Sequence, residues 1–275
     1  QDTTTPSPSS ASSHARRSGH QERRPIYKSQ VGIKAGRLNF MTNTNLFHVH
    51  TFRCGHAENV PDTAYIERAI ELGASDIWFS DHAPFPGDPF RNRMKFDDLH
   101  EYLDTLLSLQ EKYADRIQIH IGLEIEYFPR FARIDYYQLL TQLPDPIFLI
   151  LGQHMAEVDA SSDGYSFSMD KEWRKEHEYK ALGSAIVSGI QSGYLDFVAH
   201  PDRIFYRCQN WTENMETVAK EIILAAEQME IPLEQNESSK KHKHQYWQEF
   251  WDLAEGHVQI VQGLDAHAVN ELRIV

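Results

Sequence analysis

Seven short apolar runs, separated by stretches of helical periodicity, constrain this chain more than any other feature. The runs are Leu46–Val49, Ile77–Phe79, Ile117–Ile121, Ile147–Leu151, Leu195–Val198, Ile231–Leu233 and Val258–Val261. Helical patterns fall between them at Thr63–Leu72, Asp97–Tyr113, Trp173–Gln191 and Glu213–Met229, and a further helix is expected over His244–Leu253. In the second of these, Leu99, Tyr102, Leu103, Leu106 and Leu107 recur at helical spacing, with Asp97 placed to cap it. Strands alternating with helices predict parallel strands joined by crossovers. The fold class is therefore α/β, either a barrel or an open doubly wound sheet.

In parallel α/β folds the reactive groups collect where strands end and loops begin. Here the first run carries His48 and leads into His50, and the second leads to Asp81 and His82. The next three lead to Glu124, His154 and His200, and the last leads to Asp265 and His267. One histidine after a strand is usually an ordinary loop residue; six strands ending in a histidine or a carboxylate imply a shared centre. Residues i and i+2 of a strand share a face, so His48 and His50 can grip one ion, and Asp265 with His267 repeats that spacing. Imidazole and carboxylate donors without thiolates suit Zn, Mn or Fe and argue against a structural cysteine-zinc site.

Composition sets the limits. The 275 residues are 41% hydrophobic, enough for one large α/β domain with a sizeable core. No apolar run is long enough to span a bilayer, so no membrane partner is expected. Two cysteines build no disulfide framework, which points to a cytoplasmic setting. Residues 1–13 are dominated by Ser, Thr and Pro, and Arg16, Arg17, Arg23 and Arg24 follow. Residues 1–40 are therefore expected to be a disordered or leader-type extension, with the folded domain at 41–275 and Met41 as a plausible start. They carry seven Lys/Arg against two Asp/Glu, a net of +5, which leaves −18 of the total −13 for residues 41–275. So acidic a body is a poor partner for duplex nucleic acid, and it would repel a phosphorylated substrate unless bound metal ions reversed the local field.

Taken in order, these residues resemble the polymerase-and-histidinol-phosphatase (PHP) superfamily. The motifs read His48-Val49-His50, Asp81-His82, Gly122-Leu123-Glu124, His154, His200 and Gly263-Leu264-Asp265-Ala266-His267. The resemblance implies a distorted (β/α)7 TIM-like barrel with three divalent metal ions (Zn, Mn or Fe) at the strand C-termini. His48, His50, Glu124 and Asp265 would hold the first, Glu124 with His154 and His200 the second, and His56, His82 and His267 the third. His56, in the loop after His50, enters on the resemblance rather than on its position.

Within the superfamily, Cys54-Gly55-His56-Ala57, Ser80-Asp81-His82-Ala83-Pro84, Gly122 to Tyr127 and His200-Pro201-Asp202-Arg203 resemble the histidinol-phosphate phosphatases. Two departures are visible. Only eight residues follow His267, so the closing helix is expected to be short or absent, and the stretch Leu233 to Ser238 is an unusual version of its strand.

The implied reaction is hydrolysis of a small phosphate monoester, L-histidinol phosphate first, by in-line attack of a hydroxide bridging the first two metals. Arg203 is the candidate for a bidentate phosphate contact, with a surface arginine as the plain alternative. Asp81 is a candidate leaving-group acid, or else a carboxylate that orients a ligand histidine. Glu126 could receive a substrate amine or serve as a salt-bridge partner in the barrel. Arg91 and Arg93 are expected to be solvated, as are His242 and His244; His100, His177 and His257 should be surface residues, and His120 a core histidine with a partner. Cys54 is not expected to be a nucleophile. Rival readings keep the chemistry but change the substrate to a nucleotide, a sugar phosphate or a nucleic-acid end, or make the cluster a non-catalytic, metal-stabilised regulatory module.

Overall fold

Each of the seven apolar runs becomes a strand of one parallel sheet. The computed structural model describes residues 45–157, 165–166, 172–242 and 244–275; the expected extension at 1–40, with Met41, lies outside them. The strands are β1 (Asn45–Val49), β2 (Asp76–His82), β3 (Gln118–Ile125), β4 (Phe148–Leu151), β7 (Phe197–Val198), β8 (Leu233–Asn236) and β9 (Ile260–Gly263). They lie in the order β1-β2-β3-β4-β7-β8-β9, with every neighbouring pair parallel. The chain just after β9 then returns to β1. Val49 bridges Ala266 in parallel, and the amides of Leu264 and Ala266 donate to the carbonyls of Phe47 and His48 at 2.9 and 3.1 Å. Seven parallel strands thus form a nearly closed (β/α)7 barrel. After β4, β5 (Ala156–Glu157) and β6 (Tyr165–Ser166) pair as a separate antiparallel ribbon.

The crossover helices are α1 (Asp62–Glu71), α2 (Leu99–Lys112), the short α3 (Pro129–Ala132) and α4 (Tyr136–Thr141), then α5 (Glu172–Ser192) and α6 (Glu213–Met229). A single turn, α7 (Glu237–Lys240), and α8 (Gln248–Ala254) complete the set. Local chemistry explains their limits. The Thr212 hydroxyl caps α6 by accepting from the Met215 amide at 3.3 Å, with Glu213 and Glu216 in the first turn, and Glu230 ends it in the left-handed region. The start of α2 differs from expectation: a 3-10 turn at Phe96–Asp98 leads into it, and Asp97 makes no cap. α8 begins four residues later than expected, since His244 at φ 62 cannot continue a helix. After His267 there is a 3-10 turn at Val269–Glu271, whose successor Leu272 is buried.

Alternation along the strands divides the core in two. Leu46, Ile77, Phe79, Leu123, Leu149, Leu151 and Leu233 pack outward under the helices. Phe47, Trp78, Phe148, Ile150, Phe197, Ala199 and Val261 fill the barrel interior. The exception lies in β1, where Leu46 pairs with Ile77 but Val49 pairs with Phe79, so one extra residue bulges out. That residue is His48, at φ 67. The bulge turns Phe47 and His48 inward together, while Leu46 and Val49 both stay in the outer core.

Candidate metal centre

All nine candidate ligands meet above the aromatic layer of the barrel interior, at the C-terminal ends of the strands. Their donor atoms form overlapping groups with every atom within 4.8 Å of the others. Three of these are His48-His50-Asp265, Glu124-His154-His200 and His56-His82-His267. Glu124 touches several: its Oε2 lies 3.5, 3.4 and 3.0 Å from His48 Nε2, His50 Nε2 and His82 Nδ1. Its Oε1 lies 2.9 and 3.4 Å from His200 Nε2 and His154 Nε2. Asp265 Oδ1 is 3.4 Å from His50 Nε2 and 3.8 Å from His48 Nε2.

These spacings fit divalent cations. Ion–ligand bonds of about 2.0–2.2 Å in tetrahedral array put neighbouring ligand atoms about 3.4 Å apart. Hydrogen bonding does not account for the arrangement, because Glu124 Oε2, His50 Nδ1, His82 Nδ1 and His267 Nε2 are buried without a hydrogen-bond partner among the described residues. The donor chemistry and the orphaned atoms therefore suit divalent metal ions.

The surrounding groups aim the donors. Four histidines have Nδ1 anchored, which leaves Nε2 for the cluster. His48 Nδ1 lies 2.9 and 2.8 Å from the two oxygens of Glu234, and His154 Nδ1 donates to Glu126 Oε1 at 3.2 Å. His56 Nδ1 donates to the Cys54 carbonyl at 3.0 Å, and His267 Nδ1 to the Asp265 carbonyl at 3.1 Å. Backbone shape contributes as well: His48, His200 and Asp265 all sit at positive φ, a costly conformation for non-glycine residues and one that clusters at functional sites.

Charge follows from burial. Burial lowers His50 well below its ordinary value, helped by His267, and brings His82 down to about 4 and His200 to about 3. These rings are neutral at physiological pH, as a ligand must be. Burial opposes ionisation of Glu124 and Asp265, but the histidines around Glu124 and the Arg203 guanidinium beside Asp265 outweigh it and hold both carboxyls well below the usual range. His48 is also buried, yet Glu234 and Glu124 raise it.

Two glycines make room. A Cβ on Gly152, just after β4, would overlap the Glu124 carboxylate, and one on Gly263, at the end of β9, would overlap that of Glu234. Both glycines thus leave space for a carboxylate.

The remaining candidates have defined partners. Asp81 accepts from the Thr51 amide and hydroxyl at 2.7 and 2.6 Å, faces His50 Nδ1 at 4.0 Å, and is pushed by burial to about 6. Arg203 is no surface residue. Its Nη2 donates to Asp265, Asn236 and Ser239 and its Nε to Ser239, which leaves Nη1 uncommitted among the described residues. Glu126 is buried in a two-pronged pair with Arg93, at 2.9 Å on both sides, so Arg93 is not the solvated residue expected. Arg91, His100, His177, His242 and His257 are exposed and His244 is half-buried, while His120 bonds Asp76 at 2.8 Å. Cys54 is buried beside His50 and His267, and its thiol is pushed up to about 12.

Glu234 is the functional group that sequence reasoning passed over. The run Ile231–Leu233 ends in this carboxylate, so the rule applied to the other six strands also covers the seventh.

A family model described as the PHP domain matches residues 47–238. A Deinococcus radiodurans protein named "Probable histidinol-phosphatase" is 29% identical over 165 residues, which span 56% of this chain and 59% of that one. The Bacillus subtilis histidinol-phosphatase is 25% identical over 253 residues, covering 82% and 94%. Among solved structures, the Lactococcus lactis histidinol phosphate phosphatase, complexed with zinc, L-histidinol and phosphate, superposes with a TM-score of 0.65. It is 23% identical and covers 82% of this chain and 87% of its own, a likeness of fold.

Proposed function

This chain belongs to the PHP domain family, and on that premise we propose that it is a metal-dependent phosphomonoester hydrolase whose substrate is L-histidinol phosphate. The observation that carries the reading is the convergence of nine imidazole and carboxylate donors at the mouth of the barrel, with Glu124 common to neighbouring groups. Relatives named histidinol-phosphatase support the choice of substrate.

Three divalent ions, Zn, Mn or Fe, would be held as the groups suggest: by His48, His50, Glu124 and Asp265; by Glu124, His154 and His200; and by His56, His82 and His267. Bound there, such ions supply a water acidified to near neutral pH and positive charge against the phosphoryl oxygens. The chain's own residues do the rest. Neutral His50, His82 and His200 offer lone pairs without first losing a proton. Arg203 fixes Asp265 through Oδ2, 2.8 Å away, so that Oδ1 faces the histidines, and its Nη1, uncommitted among the described residues, is available to a phosphate oxygen. Asp81, bonded to Thr51 through both oxygens and 4.0 Å from His50 Nδ1, is better placed to act on that ring through its charge than to protonate a leaving group. Glu126 steadies His154, and a substrate amine would have to compete with Arg93 for it.

The test is phosphate release by the metal-reconstituted protein from L-histidinol phosphate, nucleoside monophosphates and sugar phosphates. Preference for L-histidinol phosphate is the expected result. Preference for a nucleotide or sugar phosphate would overturn the substrate, and release from none of them would overturn the phosphatase reading.

A further inference from the structure

We propose that Arg53 is the positioning residue for His56, holding the loop after β1 where this histidine serves the third metal ion. The inference rests on the three-ion reading given above. Of the nine ligands, His56 is the exposed one, and it lies in the loop between β1 and α1. Its ring is anchored inside that loop, with Nδ1 donating to the Cys54 carbonyl at 3.0 Å. The ring is therefore placed only as well as the loop is. The amides of Cys54 and Gly55 donate to the Thr51 and Phe52 carbonyls at 3.2 and 3.0 Å, which closes a 3-10 turn, and Gly55 at φ 79 leads out of it. Such bonds give the turn its shape but do not fix it on the barrel.

The far end of the loop is tied by the Glu58 amide to the His267 carbonyl at 2.7 Å. Its near end is tied by Arg53, which is buried and forks to three places. Nη1 donates to both oxygens of Asp62, the first residue of α1, at 2.8 and 3.0 Å. Nε and Nη2 donate to the two oxygens of Glu101, in the first turn of α2, at 3.2 Å each. Nη1 also donates to the Thr51 hydroxyl at 3.2 Å, and that hydroxyl donates to Asp81 at 2.6 Å. The rings of Phe52 and Tyr102 flank the guanidinium at 4.5 and 5.5 Å. Bonds from a planar fork fix orientation, where apolar packing would allow the loop to slide. Charge argues against any other role toward the metals, because a buried cation near the centre repels further cations. The sign of the effect is therefore diagnostic: removing the charge alone would tighten metal binding, and losing the anchor weakens it.

The experiment titrates the metal-free full chain with zinc against a competing chelator. 15N-histidine labelling follows the His56 ring, assigned with His56→Ala. Native protein should take up three zinc ions, with the His56 ring shifting as one of them binds. Arg53→Met should weaken that ion about tenfold or more while the His48 and His200 rings respond as in native protein. Arg53→Lys should recover part of the loss, since it keeps a donor but not the fork. Glu101→Gln, at an exposed side chain, should weaken the same ion by about two- to fivefold, and it supplies the test if Arg53→Met does not fold. In a His56→Ala background Arg53→Met should add little. A native chain that holds fewer than three ions would overturn the three-ion reading and this role with it. Three ions in native protein with the His56 ring responding at the native zinc concentration in Arg53→Met, or in Glu101→Gln if the former is unfolded, would overturn this inference alone. So would an equal loss at all three ions, or a full loss that persists without His56.

Discussion

Glu234 offers the sharpest test of how the centre is built. Its carboxylate is fully buried, lies within 2.9 Å of His48 Nδ1 through both oxygens, and accepts from Asn236 Nδ2 at 2.9 Å. It thereby fixes which nitrogen of His48 carries the proton and makes Nε2 more basic. Removing such a partner typically costs about 10- to 100-fold in metal affinity, or about 1.4–2.8 kcal/mol. Glu234→Gln keeps an acceptor of the same size but loses the charge, so it should sit near the tenfold end. Glu234→Ala leaves buried donors on His48 and Asn236 unpaired and should approach 100-fold. Gly263→Ala reaches the same contact from the other side, because its new methyl would occupy the carboxylate's place. Zinc affinity is measured by titrating the metal-free protein against a competing chelator, for each variant and for Gly263→Ala/Glu234→Ala together. Gly263→Ala should weaken zinc in the native background and add little once Glu234 is gone, which is the signature of one shared contact. Native-like affinity in Glu234→Gln and Glu234→Ala, or strict additivity of the pair, would refute the reasoning.

Three further outcomes follow from the same geometry. Gly152→Ala should displace Glu124 and lower phosphate release by about 100-fold with an unchanged circular dichroism spectrum; activity within a few-fold of native would contradict the space-making role. Asp202 is buried, accepts from the Trp247 amide and the Trp251 indole, and is raised by burial from 3.8 to about 6. The folded state therefore holds this proton more tightly than the unfolded chain, and the group disfavours folding increasingly as pH rises from about 4 through about 6. In metal-free protein, Asp202→Asn should accordingly gain on native by up to roughly 3 kcal/mol between pH 4 and 7 in denaturant titrations, and parallel curves would refute the assignment. Finally, iodoacetamide at about pH 7.5 should label Cys208 in the native state and leave Cys54 untouched, since Cys54 is buried and its thiol stays protonated; peptide mass spectrometry distinguishes the two.

What the sequence determined by itself was everything that follows from short-range periodicity. Strand alternation and helical spacing specified seven parallel strands, and the rule that reactive groups cluster at strand C-termini picked out most of the cluster without any long-range information. His56 is different. It sits in a loop where no periodicity applies, and only the family resemblance singled it out. Tertiary structure decided what depends on partners far apart in the chain. Glu234 meets His48 across 186 positions, and Arg93 is buried because Glu126, 33 positions on, neutralises it. The reach of Arg203 was likewise settled by Asp265, Asn236 and Ser239, none of them a sequence neighbour. Even the His48–His50 pairing, read from a strand period of two, rests on a bulge that turns His48 inward while Leu46 and Val49 stay in the outer core. A local pattern fixes which residues can share a face; only the closing of the barrel decides which charge stands opposite which ring.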